Sequence, residues 1–466
     1  MLRVPTMEQS FGYTYLRPSA LRGAGAERTI ALETSSGSGH PRFFDGFLTA
    51  PVPAAAALLT LAEVAAARFD RGPGGSRDPV VTAGGGLLRL ESFSGCGGVY
   101  ARLDVLPSGL DGGEPGRGTT NVDVNPPLRR ALALLAGLDP LRLTVGPDAL
   151  EVATFDGRFV EKRVPLPRRW LRGFAEAQVL AAGLVPRAEV PAAEAAALLG
   201  TLPPPTRQAA AATRWVLPAG GGLRPASRPA PGAVCLPGAE RLSLLRPVLR
   251  RAESVRLYAP ADGPEGGPAD GPTPVGWELR LPGMRFFLLL SQDARRGFSG
   301  EGGVLDDLAA GAAEEDAELL AALPDWERPA GPAELARRTG LPADRVRAAL
   351  TALGASGRIG YDLAEEAYFR RELPWAAGDP EAFNPRLRAA RELVAAGAVR
   401  FDGPLARVGA GDRVHLVRPE ADAAGRPNGR LGCTCQWWAR YRGGRGPCRH
   451  VLAVRIIQDS STKDAR

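Results

Sequence analysis

Near the C-terminus the sequence reads CTCQWWARYRGGRGPCRH, from Cys433 to His450. The chain has five cysteines and three histidines, and three of the former and one of the latter fall in this stretch. Their spacing is CxC, twelve residues, then CxH. On an extended arm, residues two apart point the same way, so each pair can present two ligands to one point. Three thiolates and one imidazole are the soft donor set of a closed, tetrahedral structural zinc site. The alternatives are a redox CxC, which would leave the CxH without a role, and chance burial in a core. Cys433, Cys435, Cys448 and His450 are therefore read as ligands of one Zn2+. Cys96, between glycines after a strand, and Cys235, in a proline-rich stretch, read as buried or incidental cysteines.

Basic and aromatic residues surround the ligands. Arg430, Arg440, Arg442, Arg445 and Arg449 occur with no acid between Arg430 and His450, and Trp437, Trp438 and Tyr441 interleave with them. Guanidinium groups neutralise phosphate and aromatic rings stack on exposed bases. Arg440, Arg442, Arg445, Arg449, Trp437 and Tyr441 are thus candidate nucleic-acid contacts, with DNA the expected partner. The alternative is that the tryptophans form the mini-core a small zinc module requires, and that the surface docks a partner protein. Salt separates the two, because phosphate contacts weaken steeply with ionic strength and an apolar docking surface does not.

These residues resemble the SWIM zinc finger, whose CxCxnCxH pattern is carried on a β-β-α frame. The resemblance covers about Arg407 to Asp459. It implies the same four ligands, and either DNA binding or protein interaction. The organisation of the chain also looks like that of bacterial SWIM-domain proteins of this size, often found beside MoxR-type ATPases and von Willebrand A proteins. That likeness implies an adaptor docking a partner such as a MoxR-type AAA ATPase.

What is missing bears on catalysis. Lys162, in VEKRV, and Lys463, in STKDA, are the only lysines, and neither follows the glycines of a Walker P-loop. No histidine stands in a kinase-like catalytic loop; His40, in SGSGHPRF, has no visible partner, and His415, in RVHLV, alternates like a strand residue. The chain is expected not to be an enzyme. Its 58 basic residues against 51 acidic ones are almost all arginine, which together with abundant Ala, Gly and Pro reflects coding composition. The net charge therefore says little about partners, and the positions of the arginines say more. An odd cysteine count and no N-terminal signal pattern point to a reducing cytoplasm. The apolar run from Phe47 to Phe69 carries Pro51, Pro53, Glu63 and Arg68, so it reads as a buried helix and no membrane is expected.

The elements that must position the ligands follow from periodicity. Residues 1–185 read as an α+β domain. LLRLESF and VYARLDVLP alternate like half-buried strands, NVDVNPPLRRALALLAG is a helix capped by Asn125, and LRLTVGP, ALEVATFDG and RFVEKRVPLP are further strands. That order is similar to a subdomain of a sliding DNA clamp. Residues 186–300 form a proline- and glycine-interrupted α+β region. In 301–375, a helix from Pro332 to Thr339, a turn past Pro342, a helix from Ala343 to Leu353 and a hairpin resemble a winged-helix domain. The resemblance implies DNA contact by Arg345 and Arg347 on the second helix, with Arg370 and Arg371 in the wing. Residues 376–466 hold the finger. The expected fold class is α+β multidomain: an α+β N-terminal half, a winged-helix-like middle domain and a small β-β-α zinc finger at the C-terminus.

Overall fold

The computed structural model describes residues 42–69, 78–202, 214–261, 272–293, 297–298, 304–309, 313–323, 326, 329–373, 384–411, 413–421, 427–443 and 445–464, with two short strands at 20–22 and 29–31. It is a mixed α/β structure with several sheets. His40 lies outside the described residues. No helix among them is long and apolar enough to cross a membrane.

The alternating runs do form strands. Leu87–Phe93 and Val99–Val105 are central in an eight-stranded antiparallel sheet. Leu88, Leu90, Val99, Ala101, Leu103 and Val105 face the helix Pro51–Ala66 and build the main apolar core. Alternation predicts that the opposite face, which bears Arg89, Glu91, Tyr100, Arg102 and Asp104, meets solvent. Instead all five are buried. The helix Arg168–Ala182 covers part of this face with Trp170 and Phe174, and the hairpin Ile359–Asp362/Ala367–Arg370 covers the charged part.

The domain boundary expected at residue 185 falls inside this sheet. Its other half is Leu184–Pro191, Ser254–Pro260, Val275–Leu281 and Met284–Leu290, and Met284–Leu290 pairs residue for residue with Val99–Val105. The strands Ser254–Pro260 and Val275–Leu281, on either side of a proline- and glycine-rich run, pair directly with each other. A five-stranded sheet, in the order Gly157–Lys162, Ala149–Thr154, Arg142–Val145, Phe44–Leu48 and Leu110–Gly112, lies beside it on the same core. Asn125 does stand at the N-cap of the helix Pro126–Leu134, but its side chain bonds Glu161 instead of capping the helix.

The middle region has the expected order of helix Pro332–Thr339, helix Ala343–Ala355 and hairpin. The second helix is exposed at Ala343, Asp344, Arg345 and Arg347 and buried from Ala348 to Gly354. Val346, Ala349, Leu350 and Leu353 are buried in a helical core with Val304, Leu305, Leu320 and Leu335. The finger follows as a four-stranded antiparallel sheet, Val399–Asp402, Leu405–Ala410, Arg413–Ala421 and Pro427–Cys433, then helices Gln436–Tyr441 and Arg449–Asp464. The helix Pro385–Ala395 packs against the last of these.

Candidate metal centre

Each ligand pair straddles a junction between elements instead of lying on one extended arm. Cys433 ends the strand Pro427–Cys433, opposite Val417. Cys435 is the N-cap of Gln436–Tyr441, and its Sγ accepts the Trp438 amide at 3.4 Å. Cys448 stands just before Arg449–Asp464, and its Sγ accepts the Val451 amide at 3.5 Å; His450 is in the first turn of that helix. Cys435 and Cys448 thus double as acceptors for amides that a helix start leaves unpaired.

The four donor atoms lie within 4.8 Å of one another, and all four residues are buried. His450 Nδ1 is 3.7 Å from Cys433 Sγ and 3.9 Å from Cys448 Sγ. Zn–S bonds of about 2.3 Å and Zn–N bonds of about 2.0 Å place the corners of a tetrahedron roughly 3.5–3.8 Å apart, close to these separations, so this donor set fits zinc. Four protein ligands close the coordination shell, which makes the site structural, with no position left for a reacting water. Hydrogen bonding within the trio, Cys433 with Cys435 first, holds the Cys435 thiol well below its ordinary value and raises Cys433. The bound metal would keep all three sulphurs deprotonated. The His415 ring lies 4.2 Å from that of His450; burial, then the neighbouring imidazole, lowers its pKa, so a neutral ring flanks the ligand.

The residues proposed for nucleic-acid contact separate into two groups. Arg440, Arg442 and Arg449 are exposed. Arg442 is also the left-handed C-cap of the short helix. Arg445 is half-buried, with its guanidinium 4.9 Å from the ring centroids of both Trp437 and Tyr441. Trp437 and Tyr441 are half-buried and packed together at 4.6 Å, while Trp438 is buried in the finger core with the cysteines. The mini-core reading therefore applies to Trp438, and Trp437 packs against the same core from a half-buried position.

Sequence reasoning missed Arg386. From the helix Pro385–Ala395 its Nη1 donates to the carbonyls of Arg445, at 3.0 Å, and Pro447, at 2.7 Å, while its guanidinium lies 4.3 Å from the Trp437 ring. No local pattern marks it, because its partners are far along the chain. Arg345 and Arg347 are not brought to the finger. Arg345 makes a two-point pair with Asp316 at 2.6 and 2.8 Å, and Arg347 reaches Asp307 at 3.4 Å, so both charges are offset within the chain. In the hairpin, Arg371 is buried against Glu91, and Arg370 donates to the Ala321 carbonyl.

Residues 428–454 match the SWIM zinc finger family, and the Cys433/Cys435/Cys448/His450 cluster within them is positioned to bind zinc. Among solved structures, a proliferating cellular nuclear antigen from Entamoeba histolytica is similar over 54% of this chain and 98% of that chain, at 11% identity and a TM-score of 0.34. A PCNA2–PCNA3 complex from Sulfolobus tokodaii is similar over 53% of this chain and 98% of that chain, at 9% identity and a TM-score of 0.37. No curated protein matches the chain.

Proposed function

We propose that this chain is a non-enzymatic zinc protein whose finger grips nucleic-acid phosphate, with duplex DNA as the expected form. The observation that carries the reading is the exposure of Arg440, Arg442 and Arg449 on a segment whose two ends are tied by the ligand cluster. Charges on so constrained a segment lose little freedom on binding. Arg386 and Arg445 already lie against Trp437, and Arg440 and Arg445 against Tyr441, so these rings have partners within the chain. That favours contact with the backbone over base stacking. Cysteines kept as metal ligands need a reducing compartment, so the proposed location is cytoplasmic.

Removing one arginine–phosphate interaction flattens the slope of log affinity against log salt by roughly 0.9 for duplex DNA. Replacing Arg440 and Arg442 with alanine should weaken binding to a short duplex and lower that slope by about two, with zinc content unchanged. A parent protein whose binding ignores salt, or a double variant that binds like the parent, overturns the reading.

A different observation favours a second reading, a protein-docking adaptor. Leu138, Phe155 and Leu134 are 99%, 77% and 68% exposed. Strand register places Leu138 and Phe155 at one end of the five-stranded sheet, because Arg142 pairs with Ala153. An apolar end of this kind suits a partner protein, the MoxR-type AAA ATPase of the sequence resemblance being one. Association insensitive to salt would mark this reading.

A further inference from the structure

We propose that Arg386 is a positioning residue for the metal centre, holding the Cys448/His450 arm in place from outside the segment that matches the zinc-finger family. This role concerns the zinc site alone and does not depend on what the finger binds.

The two arms of the site differ in how they are built. Cys433 is fixed by strand pairing and Cys435 by its place at a helix start. The second arm begins where the run GGRGP ends. Gly443 and Gly446 have φ of +79° and +72°, backbone that glycine adopts readily and other residues do not. A turn with so much glycine has many alternatives to lose when a metal fixes it. Something must select one of them before the metal arrives, or the metal must do so at the expense of affinity. Within the turn, Gly446 bonds back to Gly443 at 2.9 Å, and the Trp437 indole reaches the Gly446 carbonyl at 3.4 Å.

Arg386 supplies an anchor from another element. Its two bonds end on the carbonyls of Arg445 and Pro447, and Pro447 is the residue before the ligand Cys448. Its guanidinium against Trp437 ties the same turn to the helix that follows Cys435. The helix carrying it is itself held, since Leu387 and Ala390 are buried with Leu452 and Ala453 of the C-terminal helix. One side chain thus connects both ligand arms to a packed helix. Partners that orient metal ligands typically account for roughly 10- to 100-fold in metal affinity.

The test uses the full chain and titrates cobalt and then zinc against a chromophoric chelator, with the visible bands of tetrahedral thiolate-bound cobalt as the signature of geometry. Arg386→Ala should keep that signature at saturating metal but bind each metal about tenfold or more weakly. Arg386→Lys, which can donate to the same carbonyls but cannot lie flat on the indole, should recover part of the loss. Parent affinity in Arg386→Ala overturns the proposal. So does a pattern in which both variants bind equally weakly and the helix Pro385–Ala395 has lost amide protection even at saturating zinc, because Arg386 would then only dock that helix.

Discussion

At the scale of single residues, the ligands divide between what spacing specifies and what it does not. A metal demands its donor types at one point, and that demand leaves a local imprint, CxC and CxH, which is readable without the fold. How the pairs converge is less legible. The alternation of an extended arm is a sufficient reason for each pair to converge, yet Cys435 and Cys448 are held at helix starts, where amides need acceptors and sulphur provides them. Arg386 is illegible, because it donates to carbonyls and carbonyls have no sequence signature. Four ligands and no open position imply one zinc per purified chain, measured by elemental analysis. Cys448→Ser should leave it substoichiometric, since three donors no longer close the tetrahedron. Protein prepared without chelator and found free of metal would contradict the site.

At the scale of elements, the most consequential contact is that of the hairpin Ile359–Asp362/Ala367–Arg370 with the polar face of the large sheet. Asp362 receives Arg285 at 2.8 Å and Arg102 at 3.3 Å, and Arg89 lies 3.6 Å away. Arg371 pairs with Glu91, which also accepts the Tyr100 hydroxyl at 2.6 Å. Arg89 lies 4.0 Å over Phe369, and Arg371 4.0 Å over Phe174. The alternation of LLRLESF and VYARLDV is legible in the sequence. The burial of both faces is not, because the partner of the polar face stands 260 positions further along the chain. A charge in this network cannot be removed alone. Asp362→Asn leaves buried guanidinium groups uncompensated and should destabilise the protein by about 3–5 kcal/mol in denaturant unfolding. A loss under about 1 kcal/mol, the worth of a surface pair, would show that the hairpin is held by its apolar contacts instead.

Acid should loosen the same contact. Burial raises the pKa of Glu91, but the charge and hydrogen bond of Arg371, with the Tyr100 hydroxyl, outweigh it and hold the carboxyl below its ordinary value. Burial likewise raises Asp362, and Arg102, Arg285 and Arg89 outweigh it. A carboxylate whose folded pKa is depressed stabilises the fold above its unfolded value, near 4, and that contribution is lost as pH falls through the folded value. Asp104 runs the other way, raised by burial beyond what Arg102 offsets, so it takes up its proton first and favours the folded state as it does so. Glu278, on a neighbouring strand of the same face, is raised by burial as well, so Asp104 and Glu278 oppose the loss of stability that protonation of Glu91 and Asp362 brings below about pH 4. In Asp362→Asn the acid-dependent fall should be shallower than in the parent, because one of the two contributors is gone.

At the scale of the whole molecule, the chain is not divided where its composition changes. Proline and glycine runs mark connections within one sheet as readily as linkers between domains, because strands on either side of them pair. Apolar cores are the better guide. The two sheets and the helix Pro51–Ala66 share one core, while the middle helices share another with Leu387, Ala390, Leu452 and Ala453. The helix that bears His450 therefore turns one face, with Val451 and Val454, to the finger core and another, with Leu452 and Ala453, to the helical core. Zinc removal should consequently spread in one direction. After chelation, amide exchange should rise most in the strands Leu405–Ala410 and Pro427–Cys433, and partly in the helices Pro385–Ala395 and Ala343–Ala355. Strands Val99–Val105 and Met284–Leu290 should keep their protection, since among the described residues their core contains no finger residue. Unchanged exchange in Pro385–Ala395 would mean that the finger is energetically isolated despite the shared core. Rapid exchange in the large sheet as well would mean that zinc holds the entire chain as one cooperative unit, passed from the helical layer to the sheet through the hairpin and its buried charges.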